Sequence, residues 1–395
     1  MWIKRDFEQF LSSLPKNSLH PVKVLKGPRQ VGKTSLLEHS RKHLVLQLDD
    51  FQTRQRATEN PRLFLDQFPG PIVLDEATLV PDLFPEIKRR VDESRTSRRN
   101  EKSASPLDIW ITGSNQTLLE KSVQESLAGR ASYFDLNTLS VHELGAFNLS
   151  DLMLKGGWPE LYANPSFSPV RYLNDLIATF IERDIVLAAG IERRAAFTKT
   201  VGLLAGRIGQ LTNASDIAKN VGVETTTVQS WIARLQQNAV VRTIQPYFTN
   251  LNQRLVKTPK VYFEDVGLAT RLQGWTEYQP LYISPVFGQL LENLALIEIC
   301  RFFTNRGELP EIFFLRSKEK VEVDFLVKLP NHRWLAIETK STAVDFTRAQ
   351  LALLEKVGLP IVGRWVVSPA ENSFVFENCK QVDLALIHSE LSKIY

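Results

Sequence analysis

Apolar residues fall in short, dense runs through the first third of the chain, and each run leads into a polar exit. VKVL (22–25), LVLQL (44–48), PIVL (71–74) and DIWIT (108–112) have the length and content of strands buried in a sheet. SLLEHSRKH (35–43) and LLEKSVQESLAGR (118–130) read as helices, the second stopped by Gly129. Residues 94–106, SRTSRRNEKSASP, have no apolar period and carry four basic residues, which predicts a loop that is either solvated or laid against a polyanion. The pattern turns helical over 138–205. Two short helices about Gly222, followed by VVRTIQPYF, then predict a winged helix-turn-helix over 206–278. From residue 279 the order is an apolar helix, the strands EIFFLR, VEVDFLV and RWLAIETK, a helix, and the strand IVGRWVVS, a compact α/β core.

These 395 residues, 43% hydrophobic and 23% charged, predict several folded domains rather than one core. A net charge of +4 permits nucleic acid as a partner without requiring it. Cys300 and Cys379 lack ligand spacing and make no disulfide framework. No apolar run is long enough to span a membrane and the N-terminal stretch lacks a signal-type core, so the expected address is the cytoplasm, with no membrane partner.

The strand, loop, helix run around GPRQVGKTS supplies the first chemistry. Gly27, Gly32, Lys33 and Thr34 fit the phosphate-loop spacing, and Gly27, Pro28, Arg29, Gln30, Val31, Gly32, Lys33, Thr34 and Ser35 form the expected ATP-binding segment. Its backbone N–H groups can cradle phosphates, Lys33 can reach the β and γ oxygens, and Thr34 can hold Mg2+. Asp75 and Glu76 follow the third strand, where Asp75 is expected in the magnesium shell and Glu76 on the attacking water. Asn115 is the expected γ-phosphate sensor, with Ser114 beside it as a second candidate or as a helix cap. Arg130 either reaches a neighbouring subunit's phosphate or complements the end of its own helix. Glu182, Arg183 and Asp184 read as a salt-bridged helix face.

Thr226, Thr227, Gln229 and Arg234 are the polar positions of the candidate recognition helix, suited to DNA phosphates or base edges or to packing on protein. Glu292 lies inside a leucine-rich helix, where a carboxylate needs a cation or a metal. Alternation sets Asp324 opposite Val323 and Phe325, and Glu338 and Lys340 share a face two residues apart. Glu292, Asp324 and Glu338 can gather Mg2+ or Mn2+ against a phosphodiester, and Lys340 can activate water.

The order of these motifs resembles one family, the prokaryotic AAA-like ATPases with a C-terminal domain of unknown function of the DUF4143 type. GPRQVGKTSLL, IVLDEA followed by PDLFPEIKRRVD, ITGSNQTLL, SLAGR, GGWPE, FIERDI, VYFEDVGLATRL, GQLLENLALIEI and VEVDFLV with AIETK carry the resemblance, which runs from about residue 23 to 367. It implies a P-loop ATPase core (1–137), a helical lid or connector (138–205), a winged helix-turn-helix (206–278) and a restriction-endonuclease-like α/β domain (279–395). The nuclease-fold pattern that it implies reads Glu292, Asp324, Glu338 and Lys340 here, and Ala77 and Thr78 depart from the family's usual residues after the acidic pair. The expected function is ATP binding and hydrolysis by a protein that acts on DNA, with a C-terminal metal-dependent nuclease-like site cleaving phosphodiesters under nucleotide control, in a homo-oligomer or with a protein partner completing the ATPase site. The alternative is a nucleotide-dependent switch whose nuclease-like domain is an inactive docking module.

Overall fold

In the computed structural model, residues 2–14, 20–40, 43–100, 107–247, 258–342, 344–369 and 375–395 are described. Five parallel strands form the first sheet: β1 (Val22–Lys26), β2 (Leu44–Gln47), β3 (Ile72–Asp75), β4 (Ile109–Thr112) and β5 (Ala131–Asp135). Their order is β2-β3-β4-β1-β5, so β4 lies between the strand that leads into the phosphate loop and the strand that ends in the acidic pair. That order brings the polar exit of β4 between the other two exits. Alternate residues of these strands serve two cores. Val22, Val24, Ile72, Leu74, Ile109 and Ile111 pack on one face, while Leu25, Val73 and Trp110 face the larger core shared with the rest of the chain.

The residues expected to form a basic loop are instead the C-terminal half of a helix, Leu83–Asn100. Val91 is the last buried apolar position of that helix, and Arg95 and Thr96 beyond it are exposed, so the helix runs on there without an apolar stripe. Residues 101–106 of that expected loop lie outside the described residues. TFIERDI lies in a π-helix, Ile177–Ile185, continuous with the helix before it.

Helices Ala214–Val221 and Thr225–Gln237 form the expected helix-turn-helix, with Gly222 in the left-handed region between them. The strand expected as its wing, β6 (Val241–Pro246), pairs antiparallel with β7 (Lys260–Phe263) but also runs parallel to β8 (Ile312–Arg316). The C-terminal sheet continues through β9 (Glu322–Lys328), β10 (Trp334–Thr339), β11 (Ile361–Ser368) and β12 (Lys380–Asp383). Its order is β12-β11-β10-β9-β8-β6-β7, so the sheet crosses the boundary expected at 278/279. The helix Phe287–Thr304, buried over nearly its whole length, packs on this sheet and reaches the N-terminal half. Among the described residues no helix is long and apolar enough to cross a membrane.

Candidate functional site

The phosphate loop turns through three positive-φ positions, Gly27 (142°), Gln30 (63°) and Gly32 (86°). A Cβ on Gly27 would lie 2.0 Å from the Leu136 carbonyl oxygen, so only glycine fits where the loop passes the end of β5. Lys33 begins the next helix and donates to the carbonyls of Gly27 and Pro28, both at 2.9 Å. Burial pushes its ammonium down to about 8 against the attraction of Glu76 and Asp75, a desolvated cation waiting for an anion.

Asp75 ends β3 and Glu76 follows it. Thr34 donates to Asp75 Oδ1 at 2.9 Å, and Thr112 donates to the same oxygen. Glu76 adopts φ 53° and accepts from the Ser114 N–H at 3.0 Å and the Ser114 hydroxyl at 2.9 Å. A non-glycine residue held in the left-handed region at such a position is strain spent on aiming a side chain. Thr34 and Asp75, an adjacent hydroxyl and carboxylate in oxygen-donor chemistry, fit Mg2+.

Arg29 leaves the loop to donate to Ser114 Oγ at 3.2 Å and to pair with Asp184 at 3.0 Å. Asp184 therefore joins the π-helix to the phosphate loop, a role its expected local salt bridge with Arg183 did not disclose. Val31 is fully buried, and its carbonyl accepts from Arg5 at 3.0 Å. Gln30, Gly32 and Ser35 line, with Trp2, Tyr172 and Thr179, an open cavity of about 710 Å³, large enough for a nucleoside. A second cavity of about 350 Å³, lined by Arg29, Ser114, Asn115 and Asp184, lies on the other side of the loop.

Two expected catalytic residues are engaged elsewhere. Asn115 caps the helix Gln116–Leu127 by accepting from the Leu118 N–H at 3.0 Å, so Ser114 rather than Asn115 is the side chain in contact with the acidic pair. Arg130 makes a two-pronged pair with Asp92 at 2.8 and 2.9 Å and donates to the Ala128 carbonyl at 3.1 Å, which ties it to its own subunit.

In the C-terminal half, Asp324 and Glu338 occupy neighbouring strands. The Asp324 N–H donates to Glu338 Oε2 at 3.3 Å, the Thr339 N–H donates to Asp324 Oδ2 at 2.8 Å, and Lys340 donates to Glu338 at 2.6 Å. Glu292 does not close on this pair. Its carboxylate accepts from Lys260 at 3.1 Å and from the Tyr262 hydroxyl, both on β7. Among the described residues, the three carboxylates do not bring one ligand atom each within 4.8 Å of one another. The reason is Lys260, a fully buried lysine that also pairs with Glu322 and leaves Glu292 satisfied without metal. Burial and the charge of Asp324 push both Glu292 and Glu338 up to about 7. Asp324 and Glu338 alone have the donor chemistry of a hard divalent cation. Lys260, a lone charge at the head of the apolar strand KVYF, was the available sequence signal for this arrangement.

On the helix-turn-helix, Thr226 and Gln229 are exposed, whereas Arg234 is half-buried and donates to Gln237 at 3.1 Å. The end of that helix rests on the ATPase core, where Asn238 donates to Thr117 at 3.3 Å.

Residues 19–145 match the family model of an AAA domain, residues 146–279 a domain of unknown function (DUF8612) and residues 287–387 a domain of unknown function (DUF4143). Uncharacterized proteins of Mycobacterium tuberculosis and Mycobacterium bovis are each 29% identical over 365 residues, covering 91% of this chain and 79% of their own. An uncharacterized protein of Haemophilus influenzae is 25% identical over 342 residues, covering 78% of this chain and 79% of its own. Among solved structures, a Walker-type ATPase of Pyrococcus abyssi has a TM-score of 0.45 at 16% identity, over 68% of this chain and 95% of that one. The ORC2 protein of Aeropyrum pernix has a TM-score of 0.32 at 11% identity, over 68% of this chain and 90% of that one. The phosphate loop and the acidic pair thus lie in the segment that matches an AAA domain, and Asp324, Glu338 and Lys340 in the segment that matches a DUF4143 domain, so the chain joins an AAA-type P-loop fold to a C-terminal DUF4143 domain.

Proposed function

We propose that this chain binds and hydrolyses ATP at the loop 27–35 and uses the nucleotide state to set the arrangement of its C-terminal half. The observation that carries the reading is the convergence of the buried, desolvated Lys33 with Thr34, Asp75 and the Ser114-held Glu76 at one end of the sheet. Lys33 leaves the Gly27 and Pro28 carbonyls for phosphate oxygens, the loop N–H groups bind the remaining oxygens, and Glu76 orients the attacking water. Thr34 and Asp75 would hold Mg2+, which neutralises charge on the phosphates when bound. The cavity beside Gln30 and Tyr172 takes the nucleoside.

Phosphate release by the full chain tests this. Lys33→Ala should lower ATP turnover by at least about a hundredfold, the loss typical for a fixed charge aimed at the reacting group; turnover within a factor of about two of the parent would remove the assignment.

A second reading concerns the C-terminal half. The pairing of Asp324 with Glu338 and of Lys340 with Glu338 favours phosphodiester cleavage on DNA, while the capture of Glu292 by Lys260 favours a docking module. Single-stranded, duplex and branched DNA with Mg2+ or Mn2+, with and without ATP, distinguishes them. Cleavage lost in Glu338→Ala supports the nuclease, and absence of cleavage across the panel leaves the docking module.

A further inference from the structure

Away from both sites, three segments distant in the chain bring Asp6, His142 and His388 together. Asp6 opens the first helix (Asp6–Ser13), His142 lies in the short helix after β5 (Val141–Leu144), and His388 lies in the last helix (Ile387–Ile394). One ligand atom from each lies within 4.8 Å of the other two. His142 Nδ1 is 2.7 Å from Asp6 Oδ2, and His388 Nδ1 is 3.7 Å from the same oxygen. The imidazole rings stack, with centroids 5.4 Å apart.

The far side of His388 decides what its near side offers. Nε2 lies 2.9 Å from the Glu298 backbone carbonyl, which can only accept, so Nε2 carries a proton. In neutral His388, Nδ1 then presents a lone pair to the Asp6 carboxylate, a contact that calls for either a second proton on the ring or a cation between the two. A ring N–H given to a carbonyl is also what orients a histidine bound to metal.

A second observation points to the same place. The cluster opens on a cavity of about 270 Å³ whose wall includes Asn305 and Arg306. Asn305 is 3% exposed, yet neither its amide nitrogen nor its carbonyl oxygen has a hydrogen-bond partner. A buried amide with both ends unpaired is rare and costly, and an ion or its bound water in the cavity would satisfy it. Arg306 does not fill that need, because its guanidinium donates to the Phe302 carbonyl at 2.8 Å and to Ser392 at 3.0 Å.

We propose that Asp6, His142 and His388 bind a divalent transition metal of the zinc class, with Asn305 facing the coordination position left open toward the cavity. Two imidazoles and one carboxylate are a donor set for zinc, and bonds of about 2.1 Å set its ligand atoms about 3.4 Å apart, against 2.7 and 3.7 Å here from Asp6 Oδ2 to the two histidines. The ion clamps the first helix, the segment leaving the ATPase sheet and the last helix of the chain to one another.

Cobalt(II) titration of the chelator-treated full chain tests the site. The expected result is saturable binding of one equivalent with the intense visible bands of a low-coordinate cobalt site, displaced by zinc. His142 is half exposed, so His142→Ala should fold and bind ATP as the parent does while binding cobalt at least about tenfold more weakly and losing the bands. Asp6→Asn should act in the same direction. A folded chain that shows no such bands, or bands unchanged in both variants, would overturn the proposal and leave the cluster as an imidazolium held by Asp6.

Discussion

At the scale of single residues, the ATPase half shows how partners rather than residue types decide roles. Ser114 and Asn115 are adjacent polar residues at one strand exit, yet the serine reaches Glu76 and the asparagine caps the next helix. Asp108, at the opposite end of the same strand, meets Lys23 at 2.9 Å and His43 at 3.1 Å. Burial alone would raise its carboxyl, but His43 and Lys23 outweigh that and hold it at about 2. Since the folded value lies below the ordinary one, this contribution is complete above about pH 4 and is lost as pH falls toward 2, with a size of about 2 kcal/mol. Asp108→Asn should therefore lower stability at pH 7 by an amount of that order and flatten the acid limb. Urea unfolding at pH 7 and pH 3 checks both; an unchanged difference between the two pH values would mean the pair contributes nothing.

At the scale of elements, the departure from expectation is the placement of β6 and β7. The strand VVRTIQPYF reads as a wing because it follows the helix-turn-helix closely, but hydrogen bonding gives β6, and β7 with it, to the C-terminal sheet through β8. Lys260 thereby reaches Glu292 and Glu322, and its chain stands over the Phe314 ring. A fragment of residues 279–395 would expose the β8 edge and strip Glu292 of its cation. It should show no cooperative thermal transition under conditions where the full chain does. Two-state unfolding of that fragment with native strand content, measured by circular dichroism, would refute this dependence.

At the scale of the whole molecule, the two halves are joined by buried polar contacts set in one apolar core. Arg5 donates to the phosphate-loop carbonyl of Val31 and to the Asn137 carbonyl, and Asn137 in turn donates to Thr304 at 2.9 Å. Four residues on from Asn137, the Val141 N–H donates to Glu298 at 2.9 Å, on the helix that carries Glu292. Asp265 is the densest knot. It accepts from Thr138, Gly157, Trp158 and Leu268 and lies 3.7 Å from the buried Arg301. A Cβ on Gly156 would lie 1.9 Å from the Asp265 carboxylate, which explains the GGWPE turn as a close approach rather than a simple reversal. Asp265→Ala leaves those donors unpaired and should cost about 3–5 kcal/mol. Denaturant unfolding measures it, and a loss below about 1 kcal/mol would show that water replaces the carboxylate.

What the chain's own sequence determines is local. The phosphate loop, the acidic pair, the strands, the helix-turn-helix and the positions of Asp324, Glu338 and Lys340 follow from spacing and apolar period, because each depends on neighbours a few residues away. The charged extension of the helix Leu83–Asn100 escaped the same logic, since a solvated helix needs no apolar stripe. Only the tertiary structure decides which buried charges meet: Lys260 with Glu292, Arg29 with Asp184, Asp265 near Arg301, and Asp6 with two histidines. Such pairs lie 32 to 382 residues apart, and a buried charge accepts any suitable partner that the fold delivers. Period and spacing carry no record of that delivery.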